Sequence, residues 1–194
     1  MKNNIFWILI LFLLLLNSCG KCIETNLTNE EKEWFSVYEK GQTMIFKSNL
    51  GHLDTLVVAE KVKQHNNSDC NYYGIGPMQP EIMFITFKLK NCNNESYCEG
   101  GIFISKDEAD KIFNPSFRLF GLSYSQAFAN LLSKETWCVL KTTKRKYTNV
   151  YVFEDGINAK SFGRGYLKSF YWDKKEGLIR YDTSEGEIFE LLKK

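Results

Sequence analysis

Hydrophobic and polar positions change their period several times along the chain, and each change marks an element. Residues 5–16 form an unbroken apolar run behind Lys2. Further on, Thr28 stands three residues ahead of Glu31, a capping-box spacing, and Trp34, Val37 and Tyr38 recur at helical intervals before Gly41. This predicts a helix over residues 29–40 with its aromatic side packed on a sheet. From Gln42 the period falls to two. Residues 42–48 and 53–64 read as a hairpin around Asn49-Leu50-Gly51-His52. Residues 65–80 are polar, hold Gly74, Gly76, Pro77 and Pro80, and predict a surface loop able to carry recognition. A strand follows over residues 81–90. Met83, Phe84, Ile85 and Phe87 leave neither of its faces polar, so it is expected at the centre of the sheet and covered on both sides, the helix being one candidate cover.

The second half continues in the same manner. Residues 91–101 predict a polar loop and 101–105 a short strand. Ser105 and Glu108 repeat the capping-box spacing, which suggests a helical turn over 107–112 that Pro115 stops. Residues 123–133 mix helix and strand signals and are read as helix. Two strands, 137–141 and 148–153, flank a turn carrying Lys144-Arg145-Lys146, which fits a solvated hairpin end. The last thirty or so residues alternate over 166–172, 178–181 and 187–192, a three-strand meander whose aromatics Tyr166, Phe170, Trp172, Tyr181 and Phe189 are expected mostly in the core. Aromatic residues make up 15% of the chain and β-branched residues are spread through it, so strands are favoured over helices. The expected fold is mainly β (α+β): a curved antiparallel sheet or half-open barrel with the N-terminal helix packed on it.

The apolar run 5–16 has the length of a secretory h-region and is short for a hydrocarbon core about 30 Å thick. It ends in Leu16-Asn17-Ser18-Cys19. That tetrapeptide resembles the lipobox of bacterial lipoproteins, in which a small residue precedes a cysteine that becomes the acylated first residue of the mature chain. The run Tyr171-Trp172-Asp173-Lys174-Lys175-Glu176-Gly177-Leu178-Ile179-Arg180-Tyr181 is similar to the closing hairpin of many small bacterial cell-envelope lipoproteins. The resemblance implies acyl chains on Cys19 and a place in the cell envelope, and it carries no assigned activity. It divides the chain into a signal peptide (1–18), a lipidated tether (19–26) and one β-rich domain (27–194). Gly20 is not acidic, so the likeness to sorting signals points to the outer membrane, with the face left open. An uncleaved N-terminal anchor and a secretory signal cut elsewhere are the competing readings. The formal charge of +2 includes Lys2, so the mature chain is near neutral and nothing global recruits nucleic acid.

The chain has six cysteines. With Cys19 given to lipid, Cys22, Cys70, Cys92, Cys98 and Cys138 remain in an exported, oxidising setting. Cys92 and Cys98 bracket a short loop, and a bridge between them closes it at low entropic cost, so they are the candidate disulfide. Cys70 with Cys138 is a permitted second pair that leaves Cys22 as a free thiol in the tether. The only C-x-x-C spacing runs from Cys19 to Cys22, so no metal ligands, and likewise no cofactor, are assigned. His65 and Cys70 share a loop without an orienting third group, and no catalytic residues are assigned. The expected function is a non-enzymatic, lipid-anchored module that binds an envelope protein or a small ligand. The alternative is a carrier of a hydrophobic ligand in the sheet interior, and an envelope hydrolase using His65 and Cys70 ranks below both.

Overall fold

The computed structural model describes residues 20–92, 98–106, 114–125, 135–154 and 165–194. Alternation carries through into strands. In β2 (Thr43–Ser48) the side chains of Met44, Phe46 and Ser48 turn inward, and in β3 (Leu53–His65) those of Asp54, Leu56 and Val58 do the same. Register locks these two strands together, Met44 opposite Leu56 and Phe46 opposite Asp54. The remaining strands are β1 (Ile23–Thr25), β4 (Met78–Leu89), β5 (Glu99–Ser105), β6 (Asn114–Leu119), β7 (Leu122–Ser125), β8 (Glu135–Val139), β9 (Lys146–Glu154), β10 (Leu167–Asp173), β11 (Gly177–Thr183) and β12 (Ile188–Lys193). They form one twelve-stranded sheet in the order β7-β6-β5-β4-β3-β2-β12-β11-β10-β9-β8, with β1 added in parallel to the start of β4. Every other pairing is antiparallel. The sheet is not closed. Two meanders grow outward from a central seam, β2 against β12, which joins strands from opposite ends of the domain.

The sheet curls until its two halves meet. Phe117 of β6 lies 4.4 Å from Phe153 of β9 and 5.4 Å from Trp172 of β10, ring centre to ring centre, and the following Phe120 lies 5.5 Å from Tyr181 of β11. Helix α1 (Asn29–Ser36) packs into this concave side. Its Trp34 meets Tyr151 at 4.9 Å and Phe117 at 5.8 Å, while Tyr38, just past the helix, packs against Phe87 and Trp172. The capping box forms as its spacing predicts: Glu31 N–H donates to Thr28 Oγ1 and Thr28 N–H donates to Glu31 Oε2. The helix ends at Ser36, short of the expected residue 40, because pairing with the sheet takes over soon after it. Gly41 N–H donates to Val58 O, and Val58 N–H donates to Gln42 O.

Other expectations shift in instructive ways. Strand β4 is central, and the side chains of Glu81, Met83, Ile85 and Phe87 are buried on one face; Ile82, Phe84 and Thr86 on its other face are half-buried rather than covered. A strand not foreseen, β6, contains Pro115. It sits beyond Ser116, the last β6 residue paired with β7, so its missing N–H breaks no bond to that neighbour. Residues 123–125, assigned to a helix, are part of β7. The rest of that helix and the turn at 107–112 fall outside the described residues. The closing meander is present as β10, β11 and β12; Phe170, Trp172, Tyr181 and Phe189 are buried and Tyr166 is exposed. The tether expected at 19–26 is instead part of the fold from Cys22 onward.

At the β10–β11 turn, Gly177 holds φ at +83°, and a side chain there would collide with the Tyr38 hydroxyl. That hydroxyl accepts from Leu178 N–H at 2.7 Å. Tyr38→Phe leaves the buried N–H without its partner and is expected to lower the unfolding free energy by about 1–2 kcal/mol in urea titration. An unchanged midpoint would show that the bond contributes nothing net.

Candidate functional site

The N-terminal segment is stitched to the sheet by three kinds of bond. Backbone pairing sets Ile23, Glu24 and Thr25 beside Met78, Gln79 and Pro80, and Ile23 N–H donates to Pro77 O at 2.8 Å. A disulfide joins Cys22 to Cys70, with Cα atoms 5.8 Å apart. The third is electrostatic. Glu81 is buried and gathers Leu27 N–H at 2.8 Å, Lys32 Nζ at 3.1 Å and Lys63 Nζ at 2.8 Å. Burial alone would raise its pKa. The hydrogen bonds from Lys63, Leu27 and Lys32 outweigh burial and hold the carboxyl below its ordinary value. A second buried pair, Lys106 Nζ to Glu31 Oε1 at 3.0 Å, ties the helix start to the end of β5.

The loop 66–77 is built to hold one shape. Asn67 and Cys70 sit at φ +55° and +53°, left-handed conformations that need external support. Support comes from side-chain amides. Asn67 accepts from Asn71 N–H through Oδ1 and donates to Gly76 O through Nδ2, while Asn71 Oδ1 accepts from Gly74 N–H. Gln79 Nε2 donates to Asn67 O and Ser68 O from beneath. Between this loop and β1 lies a polar cleft of about 590 Å³, lined by Glu24, His65, Asp69 and Gln79 among others. The His65 ring meets Asn26 Oδ1 at 3.2 Å through Nε2. Loop braced, cleft polar: the surface suits recognition by hydrogen bonding, with little ordering left to do on binding.

The cysteines settle into a pattern partly different from that expected. Cys92 is joined to Cys98, Cα atoms 5.8 Å apart. Cys22, expected free, is bonded to Cys70, and among the described residues Cys138 is the free thiol, buried on β8. Spacing along the chain hid this pairing; the signal lies in β1, which returns the N-terminal segment to the start of β4. Burial pushes the Cys138 thiol up despite nearby Arg180. The hydrolase reading loses its nucleophile, since the Cys70 sulfur is held in the disulfide. Residue 19 lies outside the described residues.

A second polar cluster covers the outer face of β11 and β12. Arg180 donates through Nε and Nη2 to both oxygens of Asp182, each at 2.7 Å, and its guanidinium lies 4.6 Å from the centre of the Tyr171 ring. Buried Glu190 accepts from the Lys141 and Thr142 backbone N–H groups and the Thr142 hydroxyl. These bonds fasten the turn after β8 to the sheet. Among the described residues no group of three or more His, Cys, Asp or Glu side chains is placed to hold a metal ion, and no helix is long and apolar enough to cross a membrane. Comparison with protein-family models, with curated protein sequences and with solved structures finds no match.

The two bridges differ in the chain they close, 48 residues against 6. Loop-closure entropy then predicts a cost of about 4 kcal/mol for Cys22→Ser/Cys70→Ser and about 2 kcal/mol for Cys92→Ser/Cys98→Ser as upper values. Urea titration of the two double variants checks the order, and a reversed order contradicts the entropic account. Glu81 gives a pH test. Its folded pKa is lowered, so its contribution is complete above the unfolded value of about 4.3 and is lost as pH falls through the folded value. Glu81→Gln is expected to be less stable than the parent at pH 7, with the gap narrowing towards pH 3. A constant gap would show that the charge on Glu81 is not what stabilises.

Proposed function

We propose that this chain is a lipid-anchored protein of the cell envelope, held at the outer membrane by acyl chains on Cys19, and that it acts as a non-enzymatic binding module for an envelope partner or a small ligand. The observation that carries this reading is the attachment of the residues just after Cys19. Cys22 is cross-linked to the loop 66–77 and Ile23–Thr25 are paired with β4, so cleavage ahead of Cys19 removes none of the described elements. Two disulfides also fit an oxidising, exported setting. The braced loop and its polar cleft supply the recognition surface. The sheet interior, by comparison, is occupied by its own rings: Phe153 stacks on Phe170 at 4.5 Å and Tyr181 on Phe189 at 4.8 Å.

Expression of the full chain in a bacterial host fed an alkyne fatty acid tests the anchor. The parent is expected to take up label and to fractionate with outer membranes, and Cys19→Ser to lose both. Label that survives Cys19→Ser rules out acylation at this cysteine.

A further inference from the structure

The tip of the loop 66–77 exposes apolar and aromatic side chains beside Gly20. Tyr73 is 87% exposed, Ile75 63%, Ile23 of β1 54% and Tyr72 37%. The Tyr72 and Tyr73 rings touch edge to face, centres 5.4 Å apart. Gly20, the first described residue, lies so close to Tyr72 that a methyl group on it would collide with the ring. Cys19 is therefore one Cα step, about 3.8 Å, from a residue packed on this cluster. The Cys22–Cys70 bridge and the bond from Ile23 N–H to Pro77 O keep the two together.

We propose that Tyr72, Tyr73, Ile75 and Ile23 form a docking patch that seats in the interfacial layer of the membrane and fixes the domain in one orientation. The proposal rests on the anchoring at Cys19, and the position of Gly20 is what selects a lipid surface as the occupant. Acyl chains leaving Cys19 enter the bilayer beside the rings, and tyrosine, with an apolar body and a polar tip, favours that layer. The surrounding charge indicates how the patch binds. Lys21 is exposed beside it, but so are Glu24 and Asp69. No basic field draws the patch to anionic lipid, so the attraction is apolar and weakly dependent on salt. Docked in this way, the cleft lined by Glu24, His65 and Gln79 opens at the membrane surface, where its ligand must be met.

The test uses the full, processed chain in phosphatidylcholine vesicles with and without brominated acyl chains. Bromine quenches indole emission only within the bilayer. Tyr73→Trp places an indole on the patch, and Leu50→Trp places one on the exposed turn between β2 and β3, at the other end of the sheet; the emission of the parent is subtracted from each. Bromolipid is expected to quench the Trp at position 73 several-fold more than the Trp at position 50, with little change between low and high salt. Equal quenching in a chain that carries acyl mass and floats with the vesicles overturns the patch and leaves the anchor standing. A blue-shifted emission at position 73 that bromine does not quench shows that protein covers the tip, and also overturns it. A chain without acyl mass that does not float overturns the anchor and the patch together.

Discussion

An open sheet of twelve strands keeps its curl only while something fills its concave side, and here the filling is a run of aromatic rings from Trp34 through Phe117 and Phe153 to Trp172 and Tyr38. Each such side chain removes roughly 150–250 Å² from water, which at about 25 cal/mol per Å² is several kcal/mol per ring. The buried pair Glu31–Lys106 and the half-buried pair Glu81–Lys32 cannot match that, because desolvation of the buried groups offsets most of their attraction. Their role is to place. Once Trp34 has entered the concavity, the two pairs decide where the helix start and Leu27 lie against β4 and β5. The helix is short, eight residues, and its packing rather than its length holds it.

The same arrangement determines what the N-terminal segment can do. Leu27 and Trp34 are buried, so the chain from Leu27 back to Gly20 has to cross the end of the sheet near β4. Pairing of β1 with the extension of β4 satisfies backbone groups that would otherwise be left open at that edge. The disulfide to Cys70 then makes the crossing covalent and braces the strained loop from one side, while the asparagine amides brace it from within. Under the proposed anchoring, the anchor, the loop and the cleft become one unit at one end of the molecule. The turns at 49–52 and 184–186, which are joined by the Asn49 amide, lie at the other end of the sheet.

Groups that look chemically poised are occupied by structure. The guanidinium of Arg180 spends its fork on Asp182 and its face on Tyr171, and Glu190 is consumed by the turn after β8. Cys138 lies among these partners with a raised pKa, protonated and buried at neutral pH. Reactivity in a thiol requires a thiolate and access, and Cys138 has neither.

Alternation, turn residues and a capping box are local signals, and the features that depend on them were legible in the sequence alone: the Thr28–Glu31 helix start, the 43–65 hairpin, the closing meander and a mainly β class. Spacing across a short loop likewise suggested Cys92 with Cys98. Where local signals compete with distant partners, the sequence misled. The helix looked four residues longer than the sheet permits, and residues 123–125 looked helical although they pair with β6. A polar tether turned out to be β1 because Met78, Gln79 and Pro80 offered it an open edge. The cleft, the Cys22–Cys70 bridge and the aromatic tip beside Gly20 depend on contacts between residues about fifty positions apart. The sequence alone determined the strands of the first hairpin and of the closing meander, their turns, and the apolar run at residues 5–16. The tertiary structure alone decided which strands meet at the β2–β12 seam and what stands beside Gly20, because those choices come from filling one shared concavity and not from any local pattern.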